Sequence, residues 1–139
     1  MLIRKMKSSD LPALAKMNAQ IFGDTSSARA LMVFQLSFKS RVNGGCLVAE
    51  EDGKPIGAIF GEKITTFYPH AATIRSFFVA KGQRGKGVGK ALFSLCMAGM
   101  KKSGITNVSL HVDAKNKKAL SVYKKAGFKP FRLLLLRRF

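Results

Sequence analysis

The residues best suited to chemistry form a glycine-rich, basic loop between two apolar stretches. From Gln83 to Gly89 the chain is Gln-Arg-Gly-Lys-Gly-Val-Gly. Glycines let backbone N–H groups approach an anion closely, and a helix that begins directly after such a loop adds positive potential at its N-terminus. Arg84 and Lys86 add charge to the same loop. The loop is therefore predicted to bind phosphate groups.

Two familiar phosphate motifs do not fit this loop. A P-loop needs a lysine and a hydroxyl residue directly after the second glycine of GxxxxG, and the chain has Val88-Gly89 there. The dinucleotide pattern GxGxxG fails because its third glycine, counted from Gly85, falls on Lys90. The pattern that remains is R-x-x-G-x-G, which begins at Arg84 and is weak by itself.

A second pattern follows about thirty residues later. The run from Asn116 to Phe128 has the form N-x-x-A-x-x-x-Y-x-K-x-G-F. Taken alone, Tyr123 is expected to be packed core, because it shares a helical face with apolar residues. Asn116 is expected to cap the same helix, since asparagine is a preferred residue at that position.

Strands and helices are predicted from periodicity and turn signals. Strands are predicted at Leu2 to Lys5, Cys46 to Glu51, Ile56 to about Thr66, Ala72 to Val79, Asn107 to Asp113 and Phe131 to Phe139. Helices are predicted from Ser9 or Asp10 to Phe22, from Ala28 to Val42, from the glycine loop to about Ser103, and from Ala119 to Ala126. Asp52-Gly53 indicates a tight hairpin turn, and Gly23 to Ser27 a loop between the first two helices.

Length and composition predict one globular domain, residues 1–139. The chain is 47% hydrophobic, which suits a packed core. Its net charge of +18 is uneven, because residues 81–139 hold 15 of the 25 basic residues and only one acidic residue, Asp113. Anions are expected to collect at this half of the molecule.

Several protein classes are not indicated by the sequence. The basic start lacks a following apolar run, so no signal peptide is predicted. The apolar run from Leu133 to Leu136 is far shorter than the ~20 residues needed to cross a bilayer. Cys46 and Cys96 lie in apolar segments without metal-ligand spacing, which favours buried reduced thiols, no metal site and a cytoplasmic location.

With both motifs in order, the sequence resembles the GNAT superfamily of acyl-CoA-dependent N-acetyltransferases. The resemblance covers nearly the whole chain, including the Asp52-Gly53 hairpin and Val79 five residues before Arg84. It implies a mixed α/β (α+β) fold with a mostly antiparallel sheet of six or so strands and four helices. Splayed middle strands of that sheet would form an acetyl-CoA cleft.

The resemblance also implies roles for particular residues, with acetyl-CoA as co-substrate. The loop would hold the pyrophosphate through its main chain, and the strand before it would bind the pantetheine arm through the main chain of Phe78 and Val79. Asn116 would contact the pantetheine or pyrophosphate, and the Tyr123 hydroxyl would protonate the leaving sulfur. The loop residues implied in binding are Arg84, Gly85, Lys86, Gly87, Val88 and Gly89.

The general base departs from the family pattern. Many members carry a glutamate in the strand before the loop, but Ala71 to Val79 contains no carboxylate. His111 is a candidate base because an imidazole changes charge near neutral pH, and Glu62 is a second candidate. A structural role for the single histidine of that strand remains the alternative.

The charge of the chain is the only feature of the sequence that limits the chemical class of the acceptor substrate. A chain with seven acidic residues is a poor host for polycations, so a neutral or acidic amine is expected, either a small molecule or a peptide or protein amine. A homodimer could complete the acceptor site. The alternative function is a non-catalytic nucleic-acid or ribosome-binding protein of the same fold, supported by the charge but not by any row of aromatics among lysines. No membrane partner is expected.

Overall fold

A computed structural model describes residues 1–23, 25–66 and 68–139, and a single sheet organises them. The strands are β1 (Leu2–Lys5), β2 (Arg41–Glu51), β3 (Lys54–Ile64), β4 (Ala71–Val79) and β5 (Asn107–Leu110). The helices are α1 (Leu11–Phe22), α2 (Ser27–Lys39), α3 (Val88–Lys102) and α4 (Lys117–Lys125), with short 3-10 turns at Ser8–Asp10 and Lys81–Gln83.

The sheet is mixed, with the strands in sequence order β1 to β5. The first three pairings are antiparallel, and β4 pairs with β5 in parallel. This confirms the mixed, mostly antiparallel sheet with four helices, although the described chain forms five strands rather than six or so. The parallel ladder ends where Ile74 faces Leu110, so β4 continues for five residues after β5 has left it.

The predicted hairpin joins β2 and β3. Asp52 and Gly53 have φ values of 51° and 74°, the left-handed conformation that a two-residue turn with two positive φ angles requires. Glu51 pairs with Lys54 directly across this turn. The turn therefore sets the register that brings the buried centre of β3 beside β4.

Two apolar clusters hold helices to opposite faces of the sheet. On one face, α1 and α2 pack through Leu14 and Phe34, and the Phe34 ring stacks on Phe60 and Phe78 with centroids 4.4 and 5.8 Å apart. On the other face α3 packs through Leu92, Cys96 and Met100 against residues of β2, β3 and β4. Of the four predicted helices, α1 and α2 thus lie on one face of the sheet and α3 lies on the other.

The second helix ends earlier than predicted. α2 stops at Lys39, and Val42 is a buried residue of β2 rather than the last turn of the helix. Gly44 and Gly45, expected to stop the helix, lie within β2. A Cβ on Gly99 of α3 would collide with the Gly44 carbonyl oxygen. Gly99 therefore allows the backbones of α3 and β2 to pack closely at this point.

The predicted last strand, Phe131 to Phe139, is wrong. Residues 128–139 are all described and adopt no helix or strand, and Leu133 to Leu136 are between 79% and 91% exposed. Apolar composition favours a strand, but a strand needs a partner, and no described strand pairs with this segment. Among the described residues, no helix has both the length and the apolar character needed to span a membrane.

Candidate functional site

The glycine loop runs from the end of β4 to the start of α3. Gly85 and Gly87 have φ values of 77° and 83°, where a side chain would be strained, and a Cβ on either would meet no atom within 4 Å. The positive φ angles thus favour glycine at both positions, and the space where their side chains would lie is open. Gly87 is the N-cap of α3, and the first helical bond is donated by Ala91 to its carbonyl at 3.0 Å.

The N-terminus of α3 offers hydrogen-bond donors. The first N–H groups of any helix lack an acceptor within that helix, so those of Val88, Gly89 and Lys90 are available to an anion. Arg84 belongs to the loop before this end, and its Nε donates to the Val79 carbonyl at 3.2 Å. Lys86 Nζ donates to Gln83 Oε1 at 3.5 Å. The geometry can hold a phosphate or pyrophosphate.

A cleft of about 250 Å³ opens where β4 and β5 separate. It lies between β4, the end of β5, α1 and α4. Its lining residues are Asn18, Phe22, Ile74, Arg75, Ser76, Phe77, Phe78, Leu110, His111 and Tyr123. The splay between the middle strands that the sequence implied therefore exists, and it brings Tyr123, His111 and the end of β4 together.

The register of β4 decides which main-chain groups face this cleft. Ala80 N–H donates to the Ile56 carbonyl at 2.8 Å, which continues the ladder between β4 and β3. Residues of an antiparallel pair alternate between those that exchange hydrogen bonds across the ladder and those that do not. Phe78 therefore turns its amide and carbonyl toward β3. Phe77 and Val79 turn theirs to the side that β5 has left, where the Val79 carbonyl accepts from Arg84 Nε, so the main chain of Phe77 and the Val79 amide are better placed than Phe78 for main-chain binding.

Tyr123 lies on α4 and contributes both packing and a polar group. Its ring is half-buried against Phe93 and Phe128, with both centroids 5.9 Å away. Burial raises the pKa of the Tyr123 phenol above its ordinary value. The hydroxyl therefore stays protonated at neutral pH and can donate a proton in the cleft. The packing role and the chemical role weighed from the sequence coexist in this residue.

His111 lines the same cleft but does not lie in a strand. β5 ends at Leu110, so the prediction of a strand to Asp113 was too long, and the imidazole is exposed just beyond the strand end. Exposure gives its ring nitrogens contact with water. His111 is thus placed to accept a proton directly or through a water molecule.

Asn116 is the N-cap of α4, as predicted. Its Oδ1 accepts a hydrogen bond from the Ala119 N–H at 3.1 Å. The residue is exposed and is not one of those that line the cleft. Its direct contribution is to fix the start of the helix that carries Tyr123.

Glu62, the second candidate base, is engaged by a cation. Arg75 Nε and Nη2 donate to Glu62 Oε1 at 2.9 and 2.6 Å. Glu62 is also not one of the cleft residues. Arg75, Asn18 and Phe22 were not identified from the sequence. Arg75 enters the cleft because β5 separates from β4 after Ile74, whereas Asn18 and Phe22 depend on where α1 packs, and the local sequence carries no signal for either.

Comparison with known proteins gives an independent line of support. A sequence model of the Acetyltransferase (GNAT) family matches residues 11–128. The chain is 34% identical over 84 residues to mycothiol acetyltransferase of Streptomyces avermitilis, across 60% of this chain and 27% of that protein. It is 33% identical over 86 residues to an N-alpha-acetyltransferase of Arabidopsis thaliana, across 60% of this chain and 44% of that protein. The match spans less than half the length of either relative.

Solved structures share the fold. The aminoglycoside N-acetyltransferase AAC(6')-Iy, in complex with the bisubstrate analogue CoA-S-monomethyl-acetylneamine, is similar with a TM-score of 0.77 and 17% identity over 99% of this chain and 97% of that one. Ard1 from Thermoplasma volcanium has a TM-score of 0.77 and 25% identity, over 94% of this chain and 84% of that one. The chain belongs to the Acetyltransferase (GNAT) family.

Proposed function

We propose that residues 1–139 form one acetyltransferase domain that transfers the acetyl group of acetyl-CoA to a primary amine by direct attack in a ternary complex. The observation that carries this proposal is the single cleft shared by the end of β4, His111 and Tyr123. The glycine loop begins where the same strand ends. Two buried thiols, Cys46 and Cys96, fit a reducing compartment such as the cytoplasm.

The donor is held mainly by main-chain groups. Amides of the glycine loop and the N-terminus of α3 bind the pyrophosphate, and Arg84 and Lys86 add positive charge. The main chain of Phe77 and the Val79 amide bind the pantetheine arm along the open side of β4. Because glycines and amides supply most of these contacts, the loop tolerates changes of side chain but not of backbone conformation.

The chemical step requires one base and one acid. A lone pair on the acceptor nitrogen forms the new C–N bond at the thioester carbonyl carbon, and the C–S bond breaks. His111 takes the proton lost by the amine, directly or through water. Tyr123 gives its proton to the departing sulfur, for which a phenol is suited because thiols and phenols have comparable pKa values.

The first experiment tests the donor site with a matched pair of variants. Gly87→Glu and Gly104→Glu lie at opposite ends of α3, with φ values of 83° and 86° and open space around both. Strain from a side chain at positive φ costs about 1 kcal/mol at either position. Calorimetric titration should show acetyl-CoA binding to the wild type and to Gly104→Glu but not to Gly87→Glu. Equal affinities for both variants would refute the loop as the binding site.

The second experiment tests the acid. Tyr123→Phe should lower kcat by about a hundredfold, at the lower end of the usual range for general acid catalysis, and leave acetyl-CoA affinity unchanged. The chain has a second tyrosine, Tyr68, which is exposed outside the cleft, so Tyr68→Phe is the control. A full rate in Tyr123→Phe would exclude the phenol as proton donor.

The third experiment tests the base with the two histidines of the chain. His111→Gln should reduce kcat/KM most near neutral pH, where an imidazole can accept a proton, and lessen the pH dependence. His70→Gln, in the turn before β4, is the control because His70 does not line the cleft. Identical pH profiles for His111→Gln and the wild type would eliminate His111.

A second candidate function is binding of a nucleic acid or the ribosome without turnover. It is favoured by the exposed lysines of α4, Lys117, Lys118, Lys124 and Lys125, within the basic half of the chain. Binding through phosphate contacts loses affinity steeply with salt. RNA binding that falls by orders of magnitude between low and physiological salt, together with no acetyl-CoA binding, would favour this candidate.

A further inference from the structure

An arginine lies inside the cleft that carries His111 and Tyr123. Arg75 is on β4 just past the last residue paired with β5, and its side chain is 43% exposed. Glu62 behind it is only 11% exposed. Arg75 is thus a lining residue of the cleft and the more exposed member of the ion pair, and Glu62 is the more buried member.

The ion pair leaves part of this guanidinium free. Nε and Nη2 both donate to the same oxygen, Oε1 of Glu62. A guanidinium has five N–H groups in a planar fork, and within residues 1–23, 25–66 and 68–139 only Nε and one N–H of Nη2 have a partner. Glu62 fixes the plane of the fork and so acts as a positioning residue. The free edge can form two parallel hydrogen bonds to a carboxylate.

The charges around the cleft favour an anion at this place. None of the described lining residues is acidic, and Arg75 is their one permanent cation. Glu62 is already paired, and Asp10 and Glu50 are engaged by Arg4 elsewhere. Among the described lining residues, an acceptor with positive charge alone would find no counter-charge, whereas one that also carries a carboxylate would pair with Arg75.

We propose that Arg75 is a specificity-determining residue that binds a carboxylate of the acceptor within a few atoms of the amine to be acetylated. This inference rests on the proposed acetyltransfer. The carboxylate has two sources, the α-carboxylate of a free amino acid or the acidic side chain of the first residue of a peptide.

Matched acids and amides test the inference and distinguish the two sources. L-alanine is compared with L-alaninamide, and a peptide with N-terminal Asp is compared with the same peptide beginning with Asn. The values of kcat/KM are expressed per unprotonated amine, because an amide lowers the basicity of a neighbouring amine. The wild type should prefer the acid of at least one pair by tenfold or more. Equal values within both pairs would overturn the proposal.

Variants assign the preference to Arg75. Arg75→Gln should reduce kcat/KM for the preferred acid ten- to a hundredfold, mainly through KM, and leave its amide unchanged. Arg75→Lys, which keeps the charge but loses the fork, should be intermediate. Because Arg75→Gln leaves Glu62 unpaired, the double variant Arg75→Gln/Glu62→Gln repeats the test without that charge. Arg29→Gln on the exposed face of α2 is the control. Equal losses for acid and amide would overturn the role of Arg75.

A binding measurement separates this inference from the proposed function. If no amine is acetylated, the proposed acetyltransfer is wrong, but carboxylate binding can still be measured. N-acetylalanine and N-acetylalaninamide, a matched acid and amide, are then titrated into protein saturated with CoA. Binding of the acid that is weakened tenfold in Arg75→Gln would still support carboxylate recognition. Equal binding of both compounds, or binding of neither, would overturn it.

Discussion

The two parts of the chain that meet at the cleft differ in packing. All buried residues among those described lie between Met6 and Met100. Residues 101–139, all described, contain none, and α4 has no buried residue although it carries Tyr123. The first part, residues 1–100, thus supplies a cleft wall built into the core. The second part, residues 101–139, supplies the other wall of the cleft from residues that are exposed or half-buried.

Aromatic rings connect the two walls. Phe93 of α3 is 6.2 Å from Phe77, 5.9 Å from Tyr123 and 6.0 Å from Phe128, measured between ring centroids. Phe77 belongs to the β4 wall, and Tyr123 belongs to the α4 wall. The position of the proposed acid relative to the strand therefore depends on one half-buried ring. The difference between the two parts teaches that stability and catalytic geometry can be perturbed separately.

The largest expected effect comes from equivalent leucine truncations in the two parts. Leu92 is 0% exposed and Leu135 is 87% exposed. Leu92→Ala should lower the free energy of unfolding by about 2–5 kcal/mol because it removes buried methyl groups and leaves a cavity. Leu135→Ala should change it by less than about 0.5 kcal/mol. Urea denaturation checks both values, and comparable losses would show that the second part is packed as firmly as the first.

The next prediction concerns two aromatic truncations that should both lower stability but differ in their effect on kcat. Phe93→Ala should destabilise the protein by about 1.5–4.5 kcal/mol, since each of its three aromatic pairs adds about 0.5–1.5 kcal/mol to burial, and should also lower kcat. Phe38→Ala is the control, because Phe38 is a half-buried ring of α2 that packs beside the Phe34 cluster. It should lose stability without a change in kcat. If both variants retain wild-type kcat, Phe93 does not position Tyr123.

Helix caps give a smaller, matched effect in the two parts. Ser26 Oγ accepts from the Arg29 N–H at 3.2 Å and caps α2, as Asn116 caps α4. Removing either cap by substitution with alanine should cost about 1 kcal/mol. Only Asn116→Ala should also reduce turnover, because α4 carries Tyr123. Thermal melts and steady-state rates distinguish these outcomes, and unchanged kinetics in Asn116→Ala would limit Asn116 to a structural role.

The features that the sequence predicted correctly depend on local signals. β1 has the predicted bounds, the Asp52-Gly53 turn adopts two positive φ values, and α3 starts directly after the glycine loop. Turn residues and helix starts act within a few positions of the chain, so a sequence can encode them without knowledge of the rest. The same is true of the Asn116 cap.

The features that it missed depend on contacts between distant residues. Val42 follows Phe38 by four residues, a spacing that is typical of a helix. In the structure Val42 belongs to β2, where Gly44 packs closely against Gly99 of α3. The segment after Phe128 has a strand-like composition without a described strand to pair with. Arg75 enters the cleft because β5 separates from β4 after Ile74. Each outcome is set by tertiary packing, which overrides local preference.

The last effect is confined to alkaline pH, where the two parts titrate differently. Burial raises the pKa of Cys46 from 9.0 to about 11 and of Cys96 from 9.0 to about 12, and it raises the pKa of Tyr123 above 10.0. The unfolded chain releases these protons first, so the free energy of unfolding is unaffected near neutral pH and falls as pH rises above 9. Cys96→Ser should flatten this fall from pH 9 upward, and Tyr123→Phe should flatten it less and only above pH 10. Urea denaturation at several pH values measures both slopes. A larger change in Tyr123→Phe would mean that α4 is buried more deeply than the thiols of the core, which would reverse the comparison between the two parts.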